Sequence, residues 1–139
     1  MQVMTEWFGP LDVDPETVLT FPAGLPGLEQ CTRFQLLYDE GSAQPQVRWL
    51  QSLDQPEITF SVVDPSLFGV SYELTLTDEE CALLDCQQAE QIAILMLLGR
   101  NPETRAVEPK VKYPILLNLE KRRGYQKPAT RCELVFKNV

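Results

Sequence analysis

The sequence predicts a mainly β fold, a small single-domain barrel or sandwich with one or two short helices, on three observations. Apolar residues alternate with polar ones in several short runs, the period of half-buried strands. Eleven prolines against 7 glycines in 139 residues place breaks at intervals that interrupt long helices. One helix start is strongly signalled, and the remaining segments are strand-length. A chain of this size suits one domain, residues 1–139, with a core that buries roughly two-thirds of the unfolded surface.

In chain order, the first reversals fall in Phe21-Pro22-Ala23-Gly24-Leu25-Pro26-Gly27, where the fixed φ of Pro and the permissive φ of Gly favour turns. Phe34, Leu36 and Tyr38 alternate as one strand, and Asp39-Glu40-Gly41-Ser42 ends it. From Trp49 to Phe68 the chain reads as two adjacent strands joined by an Asp54-Gln55-Pro56-Glu57 turn and closed by Asp64-Pro65, with Ile58, Phe60 and Val62 set against Thr59 and Ser61. That stretch offers no nucleophile, base or metal ligand set, so it points to binding. Tyr72, Leu74 and Leu76 continue the pattern.

Thr77-Asp78-Glu79-Glu80 is a capping-box pattern, a hydroxyl followed three residues later by a glutamate, with acidic charge where the helix dipole favours it. The helix is expected to run to about Asp85. Propensity alone would carry it through to Leu98 as one helix of about twenty residues. Residues 92–98 have no polar side, however, which suits a strand buried on both faces. The reading preferred is a short helix, a turn near residues 88–90 and a buried strand from about Gln91. Residues 112–119 then form a strand with Pro114 near its start, and Gly124 is expected to supply a positive φ for a tight reversal. Cys132, Leu134 and Phe136 make the last strand.

Charge divides the chain. Residues 1–99 carry 16 Asp and Glu against 2 Lys and Arg, a net of −14, and residues 100–139 carry 4 against 10, a net of +6, which together give the −8 of the whole. Two readings stand: solvated faces of one β domain, or an acidic surface that attracts a basic partner and repels nucleic acid. The basic segment alone leaves room for an RNA-binding β-barrel, the alternative function. Lys121, Arg122 and Arg123 are either a soluble turn or a contact for acidic groups.

Catalysis has little to stand on. The chain has no histidine, which removes Ser-His-Asp and Cys-His arrangements and mixed zinc sites, and no phosphate-cradling glycine loop precedes a helix. The four cysteines, Cys31, Cys81, Cys86 and Cys132, are scattered and read as structural thiols. On a shared helix Cys81 and Cys86 would point to different faces. No cofactor or metal is expected. The first 20 residues hold no Lys or Arg and no continuous apolar run, so no secretory signal is read there, and the longest apolar run is far below membrane-spanning length. A cytoplasmic protein is expected, with no membrane or direct nucleic-acid partner.

Four segments in order carry a resemblance: Phe21-Pro22-Ala23-Gly24-Leu25-Pro26-Gly27-Leu28-Glu29; Trp49-Leu50-Gln51-Ser52 through Asp64-Pro65-Ser66-Leu67-Phe68; Tyr72-Glu73-Leu74; and Tyr113-Pro114-Ile115 with Asn118 and Arg122-Arg123-Gly124-Tyr125-Gln126. Together they resemble the FliW flagellar assembly factor family over nearly the whole chain. The sequence departs from that family at Tyr113, where an alanine is usual. The resemblance implies a small β-barrel-like domain, mainly β and without enzymatic activity, a cytosolic binding protein that takes flagellin and, in many lineages, the translational repressor CsrA. Partner switching between the two would couple flagellin synthesis to export, with the protein a monomer when free. The residues singled out for a protein-partner interface are Leu67 and Phe68, which follow a turn and either stay exposed or pack in the core, the acidic Asp78, Glu79 and Glu80, and the basic Lys121, Arg122 and Arg123.

Overall fold

The computed structural model describes residues 2–38, 47–100, 103–127 and 132–136. Its centre is a closed barrel of seven strands, built from β3 (Leu19–Thr20), β4 (Arg33–Tyr38), β5 (Val47–Ser52), β6 (Thr59–Val63), β8 (Ala93–Arg100), β9 (Val107–Asn118) and β10 (Arg123–Gln126). Outside the barrel lie two antiparallel pairs, β1 (Gln2–Thr5) with β2 (Gly9–Asp12), and β7 (Val70–Leu74) with β11 (Cys132–Phe136). One α-helix, α1 (Asp78–Leu84), packs against the wall. Every barrel pairing is antiparallel except β10 with β3.

The period-two pattern sorts side chains between interior and exterior. Phe21, Phe34, Leu50, Val62, Leu95, Ile115 and Leu117 fill the interior, with Phe21 and Phe34 edge to face at 5.1 Å. Such an aromatic pair contributes about 0.5–1.5 kcal/mol beyond area burial. The opposite faces of the same strands are covered as well. Val63 and Met96 pack under Val70 of β7, and Leu116 packs under Leu84 of α1.

β8 therefore is buried on both faces, as its lack of a polar side predicts. Leu95 and Leu97 join the interior, Met96 and Leu98 the β7 side, and Ile94 the helix side. α1 ends where expected, and a short 3-10 turn, Ala89–Gln91, separates it from β8.

The helix is fastened at both ends. At its start Thr77 Oγ1 accepts from the Glu80 N–H at 3.1 Å while Glu80 Oε1 accepts from the Thr77 N–H at 2.9 Å, the complete capping box. At its end Asp85 takes a left-handed φ of 50°. The Asp85 N–H donates to the Ala82 carbonyl and the Cys86 N–H to the Cys81 carbonyl at 3.1 Å, the paired closure of a Schellman motif. That motif brings its third-from-last and second-following residues together. Cys81 and Cys86 accordingly share one cluster, where the expectation for a continuous helix had them on different faces. The chain bends back before the divergence develops.

Two further expectations are corrected. Gly124 has no positive φ; Arg122 takes that role at 58°. Glycine is required at position 124 because a Cβ there would sit 2.3 Å from the Phe21 ring. β9 also begins earlier than residue 112 and is broken in register: Leu95 faces Ile115, whereas Leu97 faces Lys110. Residues 111–114 bulge opposite Met96, and Pro114 lies in the bulge. Gln126 Nε2 donates to the Tyr113 carbonyl at 3.1 Å and Tyr72 Oη to the Val111 carbonyl at 2.7 Å, holding it in place.

Candidate protein-partner surface

The stretch from Trp49 to Phe68 shapes the turns that carry the exposed residues. Gln51 is fully buried, and its amide nitrogen donates to the Ser52, Pro56 and Ile58 carbonyls, filling the inside of the β5–β6 turn. Asp54 accepts from the Thr32 and Arg33 backbone N–H groups, each at 2.9 Å, and from the Arg33 guanidinium at 2.9 and 3.1 Å. Burial alone would raise its carboxyl, but the two N–H groups and the guanidinium outweigh that and hold it below the usual aspartate range.

Asp64 caps the following 3-10 turn, Pro65–Phe68, by accepting from the Ser66 N–H at 2.9 Å and its hydroxyl at 2.7 Å. Pro65 is buried at the first turn position, and Gly69 closes the turn at a φ of 69°. The two apolar side chains between them are held outward: Leu67 is 46% and Phe68 41% exposed. Of the two readings of these residues, core packing is thereby removed.

Asp78 and Glu79 are exposed on the first turn of α1. Glu80 is not, and its place among surface residues is corrected. It is 3% exposed, and both its oxygens accept from Lys127 Nζ at 2.7 Å, with Lys127 wholly buried. Burial pushes Glu80 up, while the Lys127 ammonium and the Thr77 N–H pull it further down, so its carboxyl lies below the usual glutamate range. Glu80 is a structural residue facing inward from the same turn that presents Asp78 and Glu79.

The basic turn divides in the same way. Lys121 is exposed. Arg122 is exposed too, with its guanidinium donating to the Glu16 carbonyl at 2.7 Å and the Pro15 carbonyl at 3.5 Å. Arg123 is half-buried in β10 opposite Asn118. Lys127 lies inside the protein and Lys110 is paired to Glu108 at 3.5 Å, so neither is a free surface cation.

Sequence reasoning missed an aromatic feature. Phe8, from the β1–β2 turn, meets Trp49 edge to face at 5.8 Å and leaves Trp7 70% exposed. A pocket of about 330 Å³ lies between Trp7, Phe8, Trp49, Thr59 and Ser61. The signal was available in Trp7-Phe8, but no periodicity tied it to Trp49, some forty residues on. Tyr113, the departure from the family pattern, is 48% exposed and flanks a second apolar hollow of about 320 Å³ with Leu25, Pro26 and Leu28.

No group of three His, Cys, Asp or Glu side chains that could hold a metal occurs among the described residues. Burial and the neighbouring Cys81 push the Cys86 thiol above the usual range, which keeps it protonated and a poor nucleophile at neutral pH. No helix among the described residues is long and apolar enough to cross a membrane.

Comparison with known proteins follows the same line. The family model described as FliW protein matches residues 2–137. The flagellar assembly factor FliW of Chromobacterium violaceum is 38% identical over 144 residues, covering 98% of each chain. That of Azoarcus sp. is 34% identical over 144 residues, covering 99% of this chain and 98% of the relative. A crystal structure of the flagellar assembly factor FliW superposes with a TM-score of 0.81 over 99% of this chain and 95% of the other, at 22% identity, which bears on the fold alone.

Proposed function

The chain belongs to the FliW family of flagellar assembly factors, and from that premise we propose that it acts without catalysis, as a cytoplasmic protein-binding switch between flagellin and the repressor CsrA. Unexported flagellin occupies the protein and leaves CsrA free to repress flagellin translation. Export drains the flagellin pool, and the vacated protein binds CsrA. The observation that carries this reading is the family match across residues 2–137.

The physical features fit such a role. An RNA-binding repressor presents positive charge, which the −14 segment of residues 1–99 attracts and screens from RNA. Asp78 and Glu79 on α1 offer exposed carboxylates, and Leu67 and Phe68 offer an apolar anchor of the kind that dominates binding energy at interfaces. Lys121 supplies a cation for acidic groups. Switching rests on the difference between the two affinities, since each ~1.4 kcal/mol is a factor of ten in dissociation constant.

The test is calorimetry of the purified chain, a monomer when free, with flagellin and with CsrA from the same organism. Binding of both, with flagellin displacing CsrA, is the expected result. Absence of binding to either overturns the reading.

A further inference from the structure

The barrel closes through its shortest strand. β3 pairs with β4 only at Leu19↔Phe34 and Thr20↔Arg33, and with β10 only at Thr20↔Arg123. Before it the chain turns away in a 3-10 turn, Pro15–Thr17, whose Thr17 N–H is already bonded to the Asp14 carbonyl at 2.9 Å. β4 runs on past this point to Tyr38.

The ladder dictates which backbone groups are left over. The Leu53 N–H donates to the Arg33 carbonyl at 2.9 Å, so the odd-numbered residues of β4, including Gln35 and Leu37, direct their N–H and C=O groups to β5. Even-numbered residues direct theirs to the other side. There the Thr32 carbonyl accepts from the Phe21 N–H at 2.7 Å, and Phe34 meets Leu19. Leu36 and Tyr38 point the same way, and among the described residues no backbone group meets them. Unpaired strand-edge groups are a template for another strand.

Beside this edge runs an open groove of about 670 Å³, lined among others by Glu16, Leu36, Tyr38, Leu119 and Glu120. Tyr38 is 58% and Leu119 53% exposed, apolar surface left uncovered on both banks. The Arg122 guanidinium also borders the groove but is held by the Pro15 and Glu16 carbonyls. The Glu16 and Glu120 carboxylates have no ion-pair partner among the described residues, and set against the one Arg122 guanidinium they leave the lining with a net charge of −1.

We propose that this seam is a strand-acceptor site, which takes an extended, Lys- or Arg-bearing segment of a partner protein. Its backbone pairs with Leu36 and Tyr38, its apolar side chains cover Tyr38 and Leu119, and its cations face Glu16 and Glu120. The inference rests on the reading of the chain as a protein-binding factor and not on the identity of either proposed partner.

The probe is a fluorescein-labelled peptide of alternating Lys and Val, six residues long, titrated into the full chain. A control peptide carries N-methyl groups on alternate residues, which removes one edge of donors. Expected are saturable binding that weakens with salt, roughly tenfold or greater loss on N-methylation, and slowed hydrogen exchange at the Leu36 and Tyr38 amides on binding. Tyr38→Pro deletes a donor that the β5 ladder does not use, so it should weaken binding similarly at unchanged melting temperature. Tyr38→Ala, which keeps the donor and loses only the apolar bank, should weaken binding less than Tyr38→Pro, and an equal loss in both variants overturns the backbone pairing. Equal binding of the N-methylated peptide, protection appearing elsewhere, or those two amides already protected in the free chain by self-association overturns the proposal. Parallel titrations separate the readings: failure of the peptide with flagellin binding intact removes this inference alone, and peptide binding with neither flagellin nor CsrA bound removes the partner switch alone.

Discussion

Glu80 and Lys127 meet inside the wall, where each ion depends on the other. A buried carboxylate deprived of its cation is strongly unfavourable, so Lys127→Met should destabilise the chain by about 3–5 kcal/mol. Adding Glu80→Leu should restore most of that loss, short by the ~1 kcal/mol of the cap that Glu80 also serves. Urea midpoints of the three variants check both statements. The pH dependence has a definite sign. The folded Glu80 carboxyl lies below its ordinary 4.5, so its contribution is fully present above that pH and is lost as pH falls through the lower folded value. Asp54, lowered from 3.8, acts in the same direction. The acid limb of stability against pH should therefore be shallower in the double variant. At this scale the sequence was only half legible. The cap on Glu80 was readable because Thr77 stands three residues away, but its burial depends on Lys127, 47 residues along the chain. Gly124 was misread for the same reason: the constraint on it comes from the Phe21 ring, which no local pattern announces.

Among the elements, α1 depends on residues outside its own span. It spans Asp78–Leu84, shorter than isolated helices that persist in water, and relies on what holds its ends. Asn118 Nδ2 donates to the Leu84 and Asp85 carbonyls at 3.0 and 3.1 Å, so a side chain of β9 caps the helix C-terminus. Asn118→Ala leaves those carbonyls short of a donor and should cost about 1–3 kcal/mol. Hydrogen exchange should then accelerate in α1 more than in β5 or β6. The boundaries of this element were legible because they depend on local chemistry: the Thr77 cap at one end, and at the other a strand with no polar side. The β9 bulge was not, since register is a property of two strands. Pro114 reads as lying near a strand start, whereas β9 begins at Val107 and carries it well inside.

Across the whole molecule, the choice of barrel over sandwich came with the family resemblance, while the mainly β architecture followed from alternation and turn chemistry, because a half-buried strand writes its period into the sequence whatever its partners. Its closure did not, and neither did the split between surface and interior within Asp78-Glu79-Glu80. That split sharpens the electrostatic prediction. Asp78→Lys with Glu79→Lys, leaving Glu80 in place, should weaken CsrA binding by about tenfold, or ~1.4 kcal/mol, and flagellin binding by less. Raising salt should weaken the CsrA complex of the unaltered chain in the same sense. Calorimetry at two ionic strengths decides it, and equal losses for both partners with the fold intact would count against an acidic docking face for CsrA.

The Schellman closure that folds Cys86 back onto Cys81 equips the protein with internal clocks. Cys31 lies in the barrel interior and is reached by a thiol reagent only when the barrel itself opens, whereas Cys86 is uncovered as soon as the last turn of α1 frays. Alkylation rates at the two thiols therefore time separate events, local release of the helix and rupture of the barrel, in one chain with no label added.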